Sequence, residues 1–368
     1  MKAELKPIVV LIFVCAAMVS CKKAEPTRTL ALRIDSLVSR VPDFSGVVMV
    51  AHQGKPIYHK AFGYRNFLTR EPNDTTSVFE LASVSKQFTA AAIMLLQQEG
   101  KLQYDDSLHQ YISELPYDGI TIRHLLNHTS GLPDYQSIMD AHWDKSKVAG
   151  NEDNIACLKQ YHPEKLFEPG EQYAYSNTGY MLLASIAEQA SGEDFIQYCN
   201  RKIFEPLQMT STAIRTRDEK NSLPHMAWGN LWVEDKHEYV SADSFPEFNY
   251  TIWLGNRKGP GRVSSTAADL LKWDQALYSH ALFTEAALSE AFKPARLNSG
   301  ALSMYGFGWE IEQHATLGKV VRHSGDNPGY KTQIVRYINA NKTIILLSNN
   351  AHAQFEELLK GLEELVAD

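Results

Sequence analysis

Strand-like segments occupy both ends of this 368-residue chain, and a long, mostly helical stretch separates them. Near the N-terminus, 46–52 and 56–64 are rich in β-branched and aromatic residues, and a glycine-containing turn joins them, which predicts an antiparallel hairpin. Near the C-terminus, strand-like runs follow one another at hairpin spacing, at 306–311, 319–323, 331–338 and 343–348. Strands joined by hairpins are antiparallel, unlike the parallel strands of a βαβ unit. We therefore expect the strands of the two ends to join into one antiparallel sheet.

Helical periodicity frames the predicted sheet and fills the middle of the chain. Apolar residues recur at helical spacing in 29–41 and 355–366, at the two ends of the predicted domain. We therefore predict an α+β fold, in which an antiparallel β-sheet is flanked by N- and C-terminal helices and carries an inserted all-helical subdomain. The predicted single catalytic domain covers 29–368, with an α/β part at 29–80 and 283–368 and the helical insertion at 81–282.

The first residues have the pattern of an export signal. Two lysines precede the apolar run 7–19, which is too short to span a bilayer as a helix and is typical of a signal peptide. The run stops at Ser20-Cys21, which resembles a bacterial lipobox. We favour a signal peptide at 1–20, a lipidated Cys21 and a polar tether at 21–28; the alternative is an ordinary secretory signal cleaved nearby. Both predict an exported protein, and the first predicts a periplasmic or outer-membrane-anchored lipoprotein that contacts the membrane through Cys21.

Charge and cysteine content narrow the possible partners. The formal net charge is −7, acidic and basic residues are interspersed, and no basic tract occurs, so no nucleic-acid partner is predicted. Cys157 and Cys199 either form one disulfide or remain packed thiols, and their spacing offers no metal site. The sequence predicts no metal and no other cofactor, and it leaves the oligomeric state open.

Ser83 and Lys86 are the first candidates for chemistry. They lie three residues apart at the start of the apolar run 90–96, which predicts a buried helix ending at Gly100. At this spacing both side chains lie on one helix face, where a lysine can take the proton of the serine hydroxyl. The pattern alone is weak, because Ser20 and Lys23 repeat it at the predicted cleavage site.

Two further motifs lie at the ends of predicted elements. Tyr175-Ser176-Asn177 is one of four Tyr-x-Asn matches, and it falls between a turn and a helix start. His323-Ser324-Gly325 ends a strand-like run, where glycine permits close approach of the backbone to a ligand. Taken singly, Asn177 is better explained as a helix cap, and His323 as a half-buried strand residue.

Together and in this order, the three motifs resemble those of the serine β-lactamase and penicillin-binding-protein family, specifically its class C branch, which also holds D-amino-acid peptidases and esterases. The resemblance covers nearly the whole mature chain. The supporting segments are 125–132, 167–170, 261–266 with 269–270, and 305–309. The fold of that family, an antiparallel sheet with a helical insertion, agrees with the order of elements described above.

The resemblance implies an exported serine hydrolase of the β-lactamase/D-alanyl-D-alanine carboxypeptidase type, which forms an acyl-enzyme on amide, peptide or ester bonds of a small-molecule or peptide substrate. Ser83 would be the nucleophile. Either Lys86 or Tyr175 could take the first proton, and Tyr175 is the favoured base if the positive charge of Lys86 lowers its pKa. Asn177 would orient Lys86 and bind a substrate amide.

The third motif implies the remaining substrate contacts. The backbone N–H groups of Ser83 and Asp326, which follows Gly325, would hold the oxyanion. β-Lactamases carry lysine where this chain has His323, and histidine is mostly neutral at pH 7. We therefore expect a peptidase-like or esterase-like enzyme rather than an efficient β-lactamase. The alternative is a penicillin-binding sensor that is acylated without turnover; an α/β-hydrolase is not favoured, because no Gly-x-Ser-x-Gly motif occurs.

Overall fold

The computed structural model describes residues 26–368, with side chains from residue 29 onward. The strands within this range are β1 Gly46–His52, β2 Lys55–Phe62, β3 Tyr64–Asn66, β4 Glu71–Pro72, β5 Phe79–Glu80, β6 Ala213–Ile214, β7 Asn230–Val233, β8 Glu238–Ser241, β9 Val263–Ser265, β10 Ala295–Arg296, β11 Leu302–Ser303, β12 Glu310–His314, β13 Gly318–Asn327, β14 Tyr330–Tyr337 and β15 Lys342–Ser348. The α-helices are α1 Pro26–Val38, α2 Lys86–Gln98, α3 Ile122–Leu126, α4 Tyr135–His142, α5 Asn151–Tyr161, α6 Asn177–Ser191, α7 Phe195–Cys199, α8 Arg217–Asn221, α9 Tyr250–Trp253, α10 Ala267–Ala276, α11 Glu285–Ala291 and α12 Phe355–Ala367.

The main sheet has six strands in the order β12-β13-β14-β15-β1-β2, and every neighbouring pair is antiparallel. The two ends of the chain meet where β1 pairs with β15, with Val48 opposite Leu346. The predicted fold class and the joining of both ends in one antiparallel sheet are therefore confirmed. Both strands are buried on both faces, which explains their nearly continuous apolar sequences.

Alternate residues of the sheet enter two separate cores, because successive side chains of a strand point to opposite faces. On one face, Val50 and Ile344 pack with apolar residues of α1 and α12. On the other face, Met49 and Ile345 belong to the larger core that the helical insertion completes. The sheet is thus a layer between the two terminal helices and the insertion.

Helix α2 lies at the centre of the insertion and is buried from Lys86 to Leu96. It packs against α6 and α7. Helix α2 has no polar face along its buried length, and these neighbouring helices shield it from solvent. Gly100 follows the helix with a φ of +71°, a left-handed conformation that suits glycine, as predicted for its end.

The insertion is not entirely helical, which corrects one detail of the prediction. Within it, strands β7 and β8 form a hairpin, and β9 and β6 complete a small three-stranded sheet with β5, which precedes the insertion. Trp232, Val233, Tyr239 and Val240 explain the hairpin, because aromatic and β-branched side chains favour extended backbone. The strand predicted at 306–311 begins only at Glu310, because the preceding residues form a turn in which the φ of Gly308 is +78°.

Several predictions concern residues that the structure does not describe. The signal peptide at 1–20, the lipidated Cys21 and most of the tether at 21–28 lie outside the described residues, and the domain boundaries remain a prediction. Among residues 26–368, no helix combines the length and the apolar character needed to cross a membrane. Cys157 and Cys199 are buried free thiols, in agreement with the packed-thiol interpretation.

Candidate active site

Ser83 lies at a sharp change of chain direction between the small three-stranded sheet and α2. The N–H of Leu81 donates to the carbonyl of Val263 at 2.8 Å, which holds the segment against β9. Ala82 then adopts a φ of +48°, a conformation uncommon outside glycine. One turn of 3-10 helix, Ala82–Ser85, leads into α2 and leaves Ser83 partly exposed between buried neighbours.

Lys86 is completely buried beneath Ser83. Its Nζ lies 3.1 Å from Oγ of Ser83, 2.9 Å from Oδ1 of Asn177 and 2.9 Å from the carbonyl oxygen of Pro260. The structure therefore brings together the first two predicted motifs, the one with Ser83 and Lys86 and the one that ends at Asn177. The contact with the carbonyl of Pro260 was not predicted, because it comes from a loop 174 residues away in sequence.

Tyr175 and Asn177 are positioned by the start of α6. Ser176 is the N-cap of that helix, and its side chain accepts a hydrogen bond from the N–H of Gly179 at 3.1 Å. The amide of Asn177, the first helical residue, reaches Lys86. The ring of Tyr175 lies 4.7 Å from Nζ of Lys86 and remains 43% exposed, so it borders an open cleft above the buried amine.

His128 supports the Tyr175 segment from below. This fully buried residue has a φ of +58°, and its carbonyl accepts a hydrogen bond from the N–H of Ala174 at 2.9 Å. Its Nδ1 accepts a bond from the N–H of Ser176 at 3.1 Å, so Nε2 carries the ring proton. The His128 and Tyr175 rings are 4.4 Å apart, and burial lowers the pKa of His128 well below its ordinary value. A neutral imidazole therefore holds the chain on both sides of Tyr175.

His323 is buried on β13 beside the cleft, with 1% of its surface exposed. Its Nδ1 lies 2.6 Å from the carbonyl oxygen of Ser324, which can only accept, so Nδ1 carries the ring proton and donates it in that hydrogen bond. Nε2 is then the acceptor of a hydrogen bond from the hydroxyl of Tyr305, at 2.7 Å. Burial, with a smaller contribution from Lys86, lowers the pKa of His323 to about 3. The imidazole is therefore neutral and offers no cation at pH 7, and its predicted role in substrate binding remains a prediction.

Gly325 allows β13 to pack directly onto the segment that precedes Ser83. A β-carbon at Gly325 would lie 2.2 Å from the carbonyl oxygen of Leu81 and 2.3 Å from Oγ1 of Thr332. That same carbonyl accepts a hydrogen bond from the Thr332 hydroxyl at 2.8 Å. The next residue, Asp326, has an exposed side chain and lies within β13. The third predicted motif therefore lies beside the first, and its glycine sets their spacing.

The electrostatics of the site favour a neutral lysine and a protonated tyrosine. Burial lowers the pKa of the Lys86 amine well below its ordinary value, and repulsion from the Arg257 guanidinium lowers it further. Burial raises the pKa of Tyr175, although a hydrogen bond with Ser83 acts in the opposite direction. The phenol is exposed at the cleft, yet dense protein around it disfavours the phenolate. The sequence predicted that a positively charged Lys86 would lower the pKa of Tyr175. This lowering is not found, because burial favours the neutral form of Lys86, which has no charge to offer.

Sequence reasoning gave no individual role to His128, Tyr305 or Arg257. His128 and Tyr305 fall within segments that supported the family resemblance, so a signal for them existed. Arg257 lies in a polar loop without a motif. Among residues 29–368, no group of His, Cys, Asp and Glu side chains is arranged to hold a metal.

Comparison with known proteins places the chain in a family. The model of the beta-lactamase family matches residues 34–368. Penicillin-binding protein 4* of Bacillus subtilis (strain 168) is 42% identical over 326 residues, which cover 88% of this chain and 72% of that protein. The crystal structure of a penicillin binding protein from Bacillus halodurans has a TM-score of 0.76 at 25% identity, over 93% of this chain and 100% of that chain.

The fold is shared more widely. The crystal structure of D-amino acid amidase from Ochrobactrum anthropi SV3 has a TM-score of 0.71 at 24% identity, over 92% of this chain and 96% of that chain. Because the family model covers nearly all the described residues and the Bacillus subtilis relative is similar over most of its length, this chain belongs to the beta-lactamase family of serine hydrolases.

Proposed function

We propose that this protein is an exported serine hydrolase that cleaves amide, peptide or ester bonds through an acyl-enzyme on Ser83. The observation that carries the proposal is the 3.1 Å contact between Oγ of Ser83 and Nζ of the fully buried Lys86. A buried amine has a depressed pKa and a free electron pair, so it can accept the serine proton near neutral pH.

In the proposed acylation, neutral Lys86 takes the hydroxyl proton while Oγ of Ser83 attacks the substrate carbonyl. The backbone N–H groups of Ser83 and Asp326 stabilise the oxyanion. Tyr175, which holds its proton, donates it to the leaving group, and the proton on Lys86 then returns to the tyrosine. The carbon–leaving-group bond breaks, and an ester between Ser83 and the acyl group remains.

Deacylation reverses these roles with water as the nucleophile. Water loses one proton to the base, attacks the ester carbonyl and releases the acid, while Oγ of Ser83 regains a proton. Asn177 keeps Lys86 in place through its 2.9 Å contact and is available to bind a substrate amide. In this assignment Lys86 is the first base and Tyr175 the proton donor to the leaving group.

The neutral state of His323 supports a peptidase or esterase rather than an efficient β-lactamase. A lysine at this position would offer a permanent cation to the carboxylate of a β-lactam, whereas His323 is buried and bonded to Tyr305. The role that we assign to His323 is to hold Tyr305, and with it one wall of the cleft, through this hydrogen bond.

We further propose that the protein belongs to the class C branch and is exported as a lipoprotein anchored through Cys21, in the periplasm or at the outer membrane. The lipobox-like Ser20-Cys21 at the end of the apolar run supports the anchor. Metabolic labelling with an alkyne fatty acid tests it: wild type is expected to be labelled and Cys21→Ala unlabelled, and equal labelling of both would contradict the anchor.

The second candidate is a penicillin-binding sensor that is acylated without turnover. It is supported by the Bacillus subtilis and Bacillus halodurans proteins, which are both called penicillin-binding proteins. The two functions differ only in deacylation, so the lifetime of the acyl-enzyme discriminates between them.

The deciding experiment follows the mature protein by intact-mass spectrometry after mixing it with a penicillin or a D-alanyl-D-alanine depsipeptide. A hydrolase gives a transient adduct and released product, whereas a sensor keeps a stoichiometric adduct. Ser83→Ala must form no adduct in either case. An equal adduct on Ser83→Ala, or no adduct and no hydrolysis with nitrocefin, short-chain p-nitrophenyl esters and D-amino-acid amides, would overturn both functions.

A further inference from the structure

A small cavity with an unusual excess of basic residues lies beside the segment that carries Ser83. The charged side chains that line it are the cations Arg217, Lys220, Arg257 and Arg262 and the anions Glu80 and Asp243. Its other walls include Tyr250, Asn327 and Tyr330. None of these residues is a reacting group in the proposed chemistry, and only Arg257 acts on one, by lowering the pKa of Lys86.

Two of the four cations are paired within the protein. Nζ of Lys220 lies 2.6 Å from a carboxylate oxygen of Glu80, and a guanidinium nitrogen of Arg217 lies 2.7 Å from Asp243. The second oxygen of Glu80 accepts a hydrogen bond from Asn327 at 2.6 Å. Both anions of the cavity are therefore already engaged.

Arg257 and Arg262 are the remaining cations. Nη1 of Arg257 donates to the hydroxyl of Tyr135, but among the described residues its buried Nε has no hydrogen-bond partner. Nη2 of Arg262 donates to the backbone carbonyl of Arg215 at 2.6 Å. Burial lowers the pKa of Arg262 to about 10, so it is still a cation at neutral pH. Within the described part of the chain neither guanidinium forms an ion pair, although the Glu80 carboxylate attracts both.

The cavity adjoins the segment that precedes Ser83. A β-carbon on Gly261 would lie 3.6 Å from Nη2 of Arg257 and 3.8 Å from the carbonyl oxygen of Ala82, so the guanidinium and the residue before Ser83 flank the same glycine. Asn327, which also lines the cavity, directly follows Asp326, whose N–H is a proposed oxyanion donor. The carboxylate of Asp326 faces Lys331 across the strand pair.

The position of the cavity indicates which part of a substrate enters it. The leaving group must reach the proton of Tyr175, and Tyr175 does not line the cavity. The cavity lies instead between the end of β13 and the loop that contains Arg257. Because the leaving group is assigned to the side of Tyr175, we assign the cavity to the acyl group that stays on Ser83.

We propose that this cavity is a subsite for a carboxylate on the acyl part of the substrate, with Arg257 as its direct ligand and Arg262 as a second source of positive charge. The inference rests on the proposed acyl-enzyme function and specifies its substrates as acyl donors with a free carboxylate near the scissile carbonyl. Planar guanidinium groups match the geometry of a carboxylate and keep their charge when partly buried.

The test uses two esters that differ only in charge, p-nitrophenyl hydrogen glutarate and p-nitrophenyl methyl glutarate, with uncatalysed hydrolysis subtracted. Wild type is expected to have a higher kcat/KM for the anionic ester, by about tenfold or more for one good charged contact. Arg257→Met should abolish most of this ratio, mainly through KM, and Arg257→Lys should restore part of it. Arg257 also lowers the pKa of Lys86, but this effect changes kcat/KM for both esters equally, so it cancels in the ratio of the two values.

Arg40→Met is the matched control, because Arg40 is exposed near the end of α1 on the other side of the sheet. Arg262→Met is the second variant, and it should reduce the ratio even if Arg257→Met does not fold. A ratio near unity in wild type, or an unchanged ratio in folded Arg257→Met and Arg262→Met, would overturn the subsite alone. Hydrolysis of neither ester and no p-nitrophenol burst would overturn the proposed function and this inference with it.

Discussion

Nζ of Lys86 lies 2.9 Å from Oδ1 of Asn177, although 91 positions separate the two residues in sequence. The contact joins the first turn of α2 to the first turn of α6, so it fixes the amine where two helices meet. Its chemistry matters as much as its geometry. A neutral amide oxygen accepts a hydrogen bond without adding a full negative charge, whereas a carboxylate at that point would favour the ammonium form.

Asn177→Asp is therefore expected to inactivate the enzyme by raising the pKa of Lys86. The ammonium form cannot accept the proton of Ser83, so kcat/KM at pH 7 should fall by about 10²–10⁴, the usual contribution of a general base. The acid limb of the pH profile, where activity is lost as the base becomes protonated, should move to higher pH. Measurement of kcat/KM for a neutral p-nitrophenyl ester across pH checks this.

Asn177→Ala is the control for this prediction, because it removes the contact without introducing a charge. We expect Asn177→Ala to lower kcat/KM, but the acid limb of its pH profile should lie at lower pH than that of Asn177→Asp. If the two variants had the same acid limb as wild type, Lys86 would not be the group that takes the proton.

The sequence predicted those parts of the structure that depend on local pattern. The hairpin of β1 and β2, the buried helix α2 and its end at Gly100 follow from periodicity and turn residues, which act over a few positions. The contact of Lys86 with Asn177 followed from motifs in a known order. These features are encoded in short segments, so they can be recognised before the fold is known.

The parts that could not be predicted depend on packing between distant segments. Burial sets the protonation of Lys86 and raises the pKa of Tyr175, and burial is a property of the folded structure. The bond from Tyr305 to His323 joins the turn before β12 to β13. Arg257 reaches the site from a loop whose sequence has no distinguishing pattern, so only the fold reveals its position.

Acid should destabilise the protein through His323. Its pKa is about 3 in the folded protein and near 6.5 in the unfolded chain, so between these values only the unfolded chain binds the proton. Stability is therefore retained above about pH 6.5 and lost as the pH falls, by up to about 1.4 kcal/mol per pH unit from this residue. Urea unfolding of wild type at pH 7, 6 and 5 should show this slope.

His323→Gln should have a shallower dependence on pH, because glutamine does not titrate and its amide oxygen can still accept a hydrogen bond from Tyr305. His128 titrates in both proteins, and burial, the largest cause of its lowered pKa, is common to them, whereas repulsion from His323 is lost in the variant. The slopes, not the absolute stabilities, are compared, since the substitution also changes packing. Parallel curves for the two proteins would contradict a neutral buried His323.

Gly325→Ala should damage activity more than stability. The added β-carbon would lie 2.2 Å from the carbonyl oxygen of Leu81, so β13 and the segment before Ser83 must separate. Overpacking of this kind costs about 1–3 kcal/mol, but a displacement of about 1 Å at a catalytic group can cost about 10²-fold in rate. The measurements are kcat/KM and the midpoint of urea unfolding.

Gly100→Ala is the matched control for backbone strain. Gly100 has a φ of +71°, and a β-carbon there would meet nothing within 4 Å. We expect this variant to lose about 1–2 kcal/mol of stability from its left-handed conformation and to keep its kcat/KM. If Gly325→Ala kept wild-type kcat/KM, β13 would not set the position of Ser83.

The buried ion pair between Arg336 and Asp274 joins α10 to the main sheet, and removing one partner should cost far more stability than removing both. Both side chains are fully buried, Nε of Arg336 lies 2.5 Å from a carboxylate oxygen of Asp274, and Nη2 donates to the backbone carbonyl of the same residue at 3.0 Å. Asp274→Leu leaves a buried guanidinium without its anion and should cost about 3–5 kcal/mol in the free energy of unfolding. Arg336→Met leaves a buried carboxylate and should cost a similar amount.

The double variant should recover much of the loss, because neither charge remains to be buried. Urea unfolding of the wild type, the two single variants and the double variant measures the coupling between the two residues. Additive losses in the double variant would mean that each residue acts through its own packing, which for Arg336 includes the rings of Tyr278 and Trp309.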